Sequence, residues 1–272
     1  MPSGSTTNPD DARERKYPWR VFWVLLIAAL AGAAAAMPLV FEVFRPLIEN
    51  APAPSLPVPL IIIIGIAQNT LLLAVVIGIG LLLAPKLGLG APLLESRLYP
   101  ERPRVNARDS VVYGALVGVI VGIVLLITIL IAAPYFPRLP FVTAARAAIW
   151  KRILVCLYGG IDEEVLMRLF LLTLIAWIGN RVFQKQKTKL TATTFWIANV
   201  LVAIIFGLGH LPNAAMVMQI TPTVVLLALL LNGVAGISFG YLYWKRGLES
   251  AIVAHFCADF VIYVIGPAFL RN

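Results

Sequence analysis

Two hydrophobic stretches of the 272-residue chain carry ionisable side chains at spacings that bring them together on a helix. Ile153 to Trp177 contains Asp162, Glu163, Glu164 and Arg168, and Ala254 to Phe260 contains His255 and Asp259. Residues four apart share a helical face, so Glu164 faces Arg168 as an ion pair, and His255 faces Asp259, whose carboxylate can orient the imidazole. Glu163 is turned about 100° from Glu164 on a helix of 3.6 residues per turn. Its i+4 place is Met167, so its partner must come from another helix. The only other histidine, His210, closes a third apolar run in Phe206-Gly-Leu-Gly-His210.

These residue types suit amide hydrolysis. A carboxylate and an imidazole converging on a water can activate it, and a further donor can hold the charge of the tetrahedral intermediate. Glu163 is the expected general base, and His210 shares in aligning and activating the water. His255 is the expected oxyanion donor, with Asp259 beside it. The Glu164–Arg168 pair is expected to hold its helix in register and fix the orientation of Glu163. Asp162 is expected to face water at the mouth of the site or to satisfy backbone groups near Gly159-Gly160. Each element has an ordinary structural reading as well: a packing ion pair, an interfacial histidine. Their conjunction argues against it, because a charge at the centre of a bilayer helix costs about 2.5–3.5 kcal/mol, and both histidines lie among the same runs. A zinc ion held by Glu163, His210 and His255 is the competing form of this chemistry. The compact H-E-x-x-H arrangement is absent, and a site without metal or other cofactor is the reading adopted.

The elements that must position these groups follow from composition. Hydrophobic residues make up 60% of the chain and charged residues 13%, against about 45–50% and 25% in soluble domains. At roughly 20 residues per bilayer crossing, the apolar runs at 21–41, 58–84, 111–134, 153–178, 193–211, 222–244 and 250–270 predict seven spans. An eighth could form in the amphipathic segment 135–152, unless it lies flat on the membrane surface. The expected fold is an all-α, multi-pass transmembrane bundle of seven to eight spans with a buried polar site. Residues 1–20 are expected as a disordered cytoplasmic tail, 21–152 as N-terminal spans and 153–272 as catalytic spans. The Ala33 to Ala36 run resembles a cleavage site, but an uncleaved first helix fits a multi-pass chain better.

The net charge of +9 reads as orientation rather than nucleic-acid binding. With the N-terminus inside, the cytoplasmic segments hold fifteen Lys and Arg and the opposite ones six, which favours that orientation. Cys156 and Cys257 lie in apolar runs and read as small hydrophobes. Gly114, Gly118 and Gly122, and Gly236 with Gly240, recur at four-residue steps and predict close helix contacts.

Taken in order, Glu163-Glu164-x-x-x-Arg168, Phe206-x-x-x-His210 and His255-x-x-x-Asp259 resemble the three motifs of the CPBP family of intramembrane proteases, which includes the CAAX prenyl endopeptidases and the bacterial abortive-infection proteins. The resemblance covers about 155–265, and Gly240-Tyr-Leu-Tyr-Trp-Lys-Arg-Gly-Leu-Glu-Ser is similar to the family's approach to its last motif. It implies an α-helical intramembrane endopeptidase in which Glu163 and His210 activate water and His255 with Asp259 form the oxyanion site, supported by Glu164, Arg168 and Phe206. The substrate implied is a membrane-associated peptide or protein, prenylated or not. Two departures stand out. Asp259 replaces the asparagine of the CAAX enzymes, which points to the bacterial branch and a bacterial inner membrane, and Leu169 follows the arginine where many members have glycine. Two readings of other classes compete: a non-enzymatic membrane immunity or regulatory protein using the same polar core, and a proton-coupled transporter, which the absence of an internal repeat disfavours.

Overall fold

The computed structural model describes residues 17–50, 56–136, 139–183 and 190–270. Every regular element among them is helical, and seven helices are long and apolar enough to cross a membrane. These are α1 Trp19–Val43, α2 Val58–Leu87, α3 Ala107–Ala132, α4 Ile149–Phe183, α5 Ala192–Ala215, α6 Pro222–Arg246 and α7 Leu248–Ala268. The chain is an all-α integral membrane bundle.

The eighth expected span does not form. Within 135–152 the described residues make only the short helix Pro140–Ala144 and the start of α4, because Pro134, Pro137 and Pro140 recur too closely for one continuous helix. Arg152, expected in that segment, is instead buried in α4, where Nη1 donates to the Tyr263 carbonyl at 3.0 Å. At the other end, α1 begins at Trp19. Tyr17 packs ahead of it, its hydroxyl donating to Gly78 O at 3.3 Å, and burial pushes this phenol up to about 12, which keeps the donor proton in place. The last four residues of the expected tail 1–20 are therefore ordered, while residues 1–16 lie outside the described residues.

The helices alternate in direction, so the starts of α1, α3, α5 and α7 share one end of the bundle with the finishes of α2, α4 and α6. Long-range bonds tie that end together: Arg20 Nη1 donates to Leu98 O at 2.9 Å, and Leu248 N to Gly90 O at 3.0 Å. The opposite end is joined by the 2.6 Å ion pair of Lys151 with Glu42.

Close approach sets the position of α7. Gly114, Gly118 and Gly122 of α3 lie against the backbone of Ser250, Ala254 and Ala258, as their four-residue spacing predicts, since one stripe of residues without side chains lets two helix backbones meet. Gly236 and Gly240 of α6 lie likewise against Ala203 and Asn199 of α5, and the Asn199 amide donates to Ile237 O at 3.1 Å. A stripe that brings Ala254 and Ala258 onto α3 turns His255 and Asp259 towards the bundle interior.

Helix α4 is not uniform. Ile149–Tyr158 is α-helical, but Gly159–Glu163 and Val165–Leu172 follow the wider i to i+5 turn before α-helix resumes at Thr173. Such turns are uncommon and concentrate at functional sites. The Thr173 hydroxyl donates to Arg168 O, five residues back, at 3.0 Å, and bonds the Tyr243 hydroxyl of α6 at 2.8 Å. A β-carbon on Gly118 would meet the Ala254 carbonyl, whereas one on Gly65 in α2 would meet open space. Gly118→Val is therefore expected to lower stability by about 1–3 kcal/mol and Gly65→Val to leave it nearly unchanged, read as thermal unfolding in detergent.

Candidate active site

Six of the seven ionisable residues singled out on three runs, all but Asp162, converge between α4, α5 and α7. Glu164 is fully buried and Arg168 is 1% exposed. Arg168 Nη1 lies 2.9 Å from Glu164 Oε1, so the i, i+4 pair forms despite the widened turns. Its guanidinium stands over the rings of Phe206 and Phe239, 5.3 and 5.7 Å from their centroids, and Nη2 reaches the Gly236 carbonyl at 3.4 Å. A cation that cannot reach water is thus held by a carboxylate, two π faces and a backbone oxygen.

The same Glu164 oxygen lies 2.7 Å from His255 Nδ1. A carboxylate paired to an arginine accepts, so Nδ1 carries the hydrogen and Nε2 faces the cavity. This corrects one expectation. The imidazole of His255 is oriented by Glu164, not by Asp259, whose Oδ2 is 3.8 Å from Nε2. The Glu164–Arg168 pair orients His255 directly, while Glu163 projects from the next position of α4 into the cavity. The physical reason is reach: Glu164 lies across the α4–α7 contact, where its oxygen meets the ring end-on.

Glu163 finds its partners on other helices, as its spacing required. Oε2 lies 3.6 Å from His255 Nε2 and Oε1 lies 4.0 Å from His210 Nε2. The carboxylate stands between the two imidazoles at separations a water molecule can bridge. His210 sits where α5 breaks, between the helix Ala192–Gly209 and the short turn Leu211–Ala215, with Pro212 unable to continue the hydrogen-bond ladder. Its Nδ1 donates to the Phe206 carbonyl at 2.8 Å and its ring meets Phe206 edge-on at 4.8 Å. Because a carbonyl only accepts, Nδ1 carries the hydrogen of this bond and Nε2 is the ring nitrogen turned towards Glu163. Phe206 therefore positions both His210 and Arg168.

Asp259 lies against Gly159, where a β-carbon would overlap its Oδ2. The Gly159-Gly160 pair thus makes room for the last motif to approach the first. Asp162, expected at the mouth or on the Gly159-Gly160 backbone, is elsewhere: it is 5% exposed, Oδ2 has no hydrogen-bond partner, and this oxygen is directed at Gly32 of α1. The wide turn that aims Glu163 at the cavity turns the preceding side chain to the α1 contact.

A cavity of about 370 Å³ opens onto the cluster. Glu163, His210, His255 and Asp259 line it together with apolar side chains of α1, α3 and α6, among them Leu39, Ile129 and Leu231. Convergent polar groups in an apolar cleft of this size are the usual form of a small-molecule or peptide site. Among the described residues no three His, Cys, Asp or Glu side chains are disposed as metal ligands. Spacing within single helices missed Phe239, the Gly236 carbonyl and the Glu164–His255 bond, all contacts between helices.

Breaking the buried pair on one side leaves the other charge uncompensated, at a cost of about 3–5 kcal/mol. Arg168→Leu is expected to unfold far more readily in detergent than wild type, and Glu164→Gln combined with Arg168→Met to regain much of the loss.

Residues 145–261 match the family model described as Rce1-like, type II CAAX prenyl endopeptidase. No curated protein and no solved structure matches the chain. The matched segment runs from just before α4 into α7 and contains all three motifs. On that match, residues 145–261 of this membrane-embedded chain are similar to the Rce1-like type II CAAX prenyl endopeptidases.

Proposed function

We propose that the protein is an intramembrane endopeptidase that hydrolyses a peptide bond of a membrane-associated substrate with a glutamate-activated water. The observation that carries this reading is the Glu163 carboxylate held between the Nε2 atoms of His255 and His210, at 3.6 and 4.0 Å, on the wall of an apolar cavity. Glu163 takes a proton from water and the resulting hydroxide attacks the scissile carbonyl carbon. His210, its Nε2 free to accept, aligns that water. His255, fixed by Glu164 through Nδ1, offers Nε2 to the developing oxyanion when it carries a proton there. Collapse of the intermediate breaks the C–N bond, and the proton held by Glu163 passes to the leaving amine. An ionised Asp259 only accepts, so its contribution runs through His255 and not through a direct bond to the oxyanion. The family match supports the peptidase class. The substrate and the catalytic roles are our reading of the geometry.

Glu163→Gln keeps the size and removes the base, and is expected to lower cleavage of a membrane-associated peptide by about 10²–10⁴-fold with unfolding unchanged; His210→Ala is expected to do the same. Wild-type turnover by either variant would overturn the assignment and favour a non-enzymatic membrane protein. The reading without metal predicts full activity after exhaustive chelation. Loss of activity that zinc restores would replace it with a zinc site on Glu163, His210 and His255.

A further inference from the structure

A second cavity, of about 460 Å³, lies at the end of the bundle where α2 and α6 finish and α3 and α7 start. It shares no lining residue with the cavity of Glu163. Its wall is the turn that closes α2, the first turn of α3 and the corner between α6 and α7. That wall is tied across the chain: Leu248 N donates to Gly90 O at 3.0 Å, and Leu94 N to Glu249 Oε1 at 2.8 Å. At the corner a β-carbon on Gly247 would overlap Pro92, so the two segments are seated directly on one another.

Opposite charges face this cavity without meeting. Lys245, Arg246, Glu95 and Asp109 all line it. Glu95 is answered by Arg102 at 3.4 Å. Among the described residues, neither Lys245 nor Arg246 has a carboxylate within 4.0 Å, and Asp109 has no cation within that distance. The cations rest on aromatic rings instead, with Lys245 Nζ 3.5 Å from the Trp244 centroid and the Arg246 guanidinium 3.8 Å from that of Tyr113. A ring face holds a cation in place while its N–H donors stay available for an anion. The planar fork of arginine matches two oxygens of a phosphate. Asp109, when ionised, only accepts, so the same cavity also suits a cation that carries N–H donors.

We infer that this cavity binds a phosphoethanolamine group, with the phosphate on Arg246 and Lys245 and the ammonium on Asp109. The ends of spanning helices lie at headgroup level, where Trp and Tyr collect, and basic cavities between such helices hold phospholipid headgroups. Trp244, Tyr243 and Tyr113 stand at that level here, which makes a membrane phospholipid the source of the group. A quaternary ammonium offers no N–H to Asp109, and a headgroup without an amine leaves this carboxylate unanswered. The inference makes no use of the peptidase reading, and its readouts need no activity.

Phosphatidylethanolamine, phosphatidylcholine and phosphatidylglycerol with the same acyl chains are each added to delipidated protein in detergent, and bound lipid is counted by native mass spectrometry beside thermal unfolding. Wild type is expected to retain phosphatidylethanolamine over the other two. Arg246→Gln is expected to weaken its retention by about tenfold or more, and Asp109→Asn to bind phosphatidylglycerol as well as phosphatidylethanolamine. Without lipid both variants are expected to unfold close to wild type, because neither side chain is buried; should Arg246→Gln fail to fold, the change of headgroup preference in Asp109→Asn decides alone. Equal retention of the three lipids by wild type, or a preference that survives Asp109→Asn, overturns the inference. Soluble glycerophosphoethanolamine forms the second arm. Weaker stabilisation than by the lipid supports the lipid source, and equal stabilisation keeps the phosphoethanolamine site while overturning that source.

Discussion

One oxygen atom, Oε1 of Glu164, holds the polar interior of this bundle together. It forms the ion pair with Arg168 Nη1 on its own helix at 2.9 Å and accepts from His255 on α7 at 2.7 Å. In water such contacts contribute little, because solvent competes for every donor. Inside an apolar bundle no solvent competes, and any of the three groups left alone would carry a penalty of several kcal/mol. The three must meet, and their meeting ties α4 to α7 at one point. The aromatic faces of Phe206 and Phe239 complete the shell around Arg168 and draw in α5 and α6.

The rest of the site follows from that junction. With Glu164 turned to α7, the adjacent Glu163 projects into the cavity between two imidazoles, and Asp162 turns to α1. The wide turns of α4 and the Gly159-Gly160 pair let α7 come close enough for this, since a side chain at Gly159 would occupy the place of Asp259. The glycine stripe of α3 supports α7 from behind. Each of these features is costly or weak by itself, through lost helical hydrogen bonds or backbone entropy. They persist because the junction and the interhelical packing hold them in place.

Below the junction the bundle is packed shut by Leu172, Phe195, Leu242 and Tyr243, and above it α1, α3 and α6 diverge around an apolar cavity. An arrangement packed on one side of the junction and hollow on the other leaves the Glu163 carboxylate on the cavity wall and keeps the Glu164–Arg168 pair buried behind it.

Much of this was legible in the residues alone. The apolar runs gave the seven spans because a bilayer demands about 20 apolar residues per crossing, and the i, i+4 spacings gave the Glu164–Arg168 pair and the glycine contacts because helical periodicity is a local property. The buried charges marked the site because the membrane makes them expensive. Periodicity within a helix says nothing about which neighbour a face will meet. For that reason the Glu164–His255 bond, the burial of Asp162 against Gly32, the Phe206 carbonyl behind His210 and the packing below the junction emerged only with the fold. The eighth span failed for a related reason: amphipathic pattern alone weighed too lightly against three closely spaced prolines. Sequence determined the elements and the inventory of reactive groups, since both depend on local composition. Tertiary structure decided their partners and their direction, since those depend on contacts between helices distant in the chain.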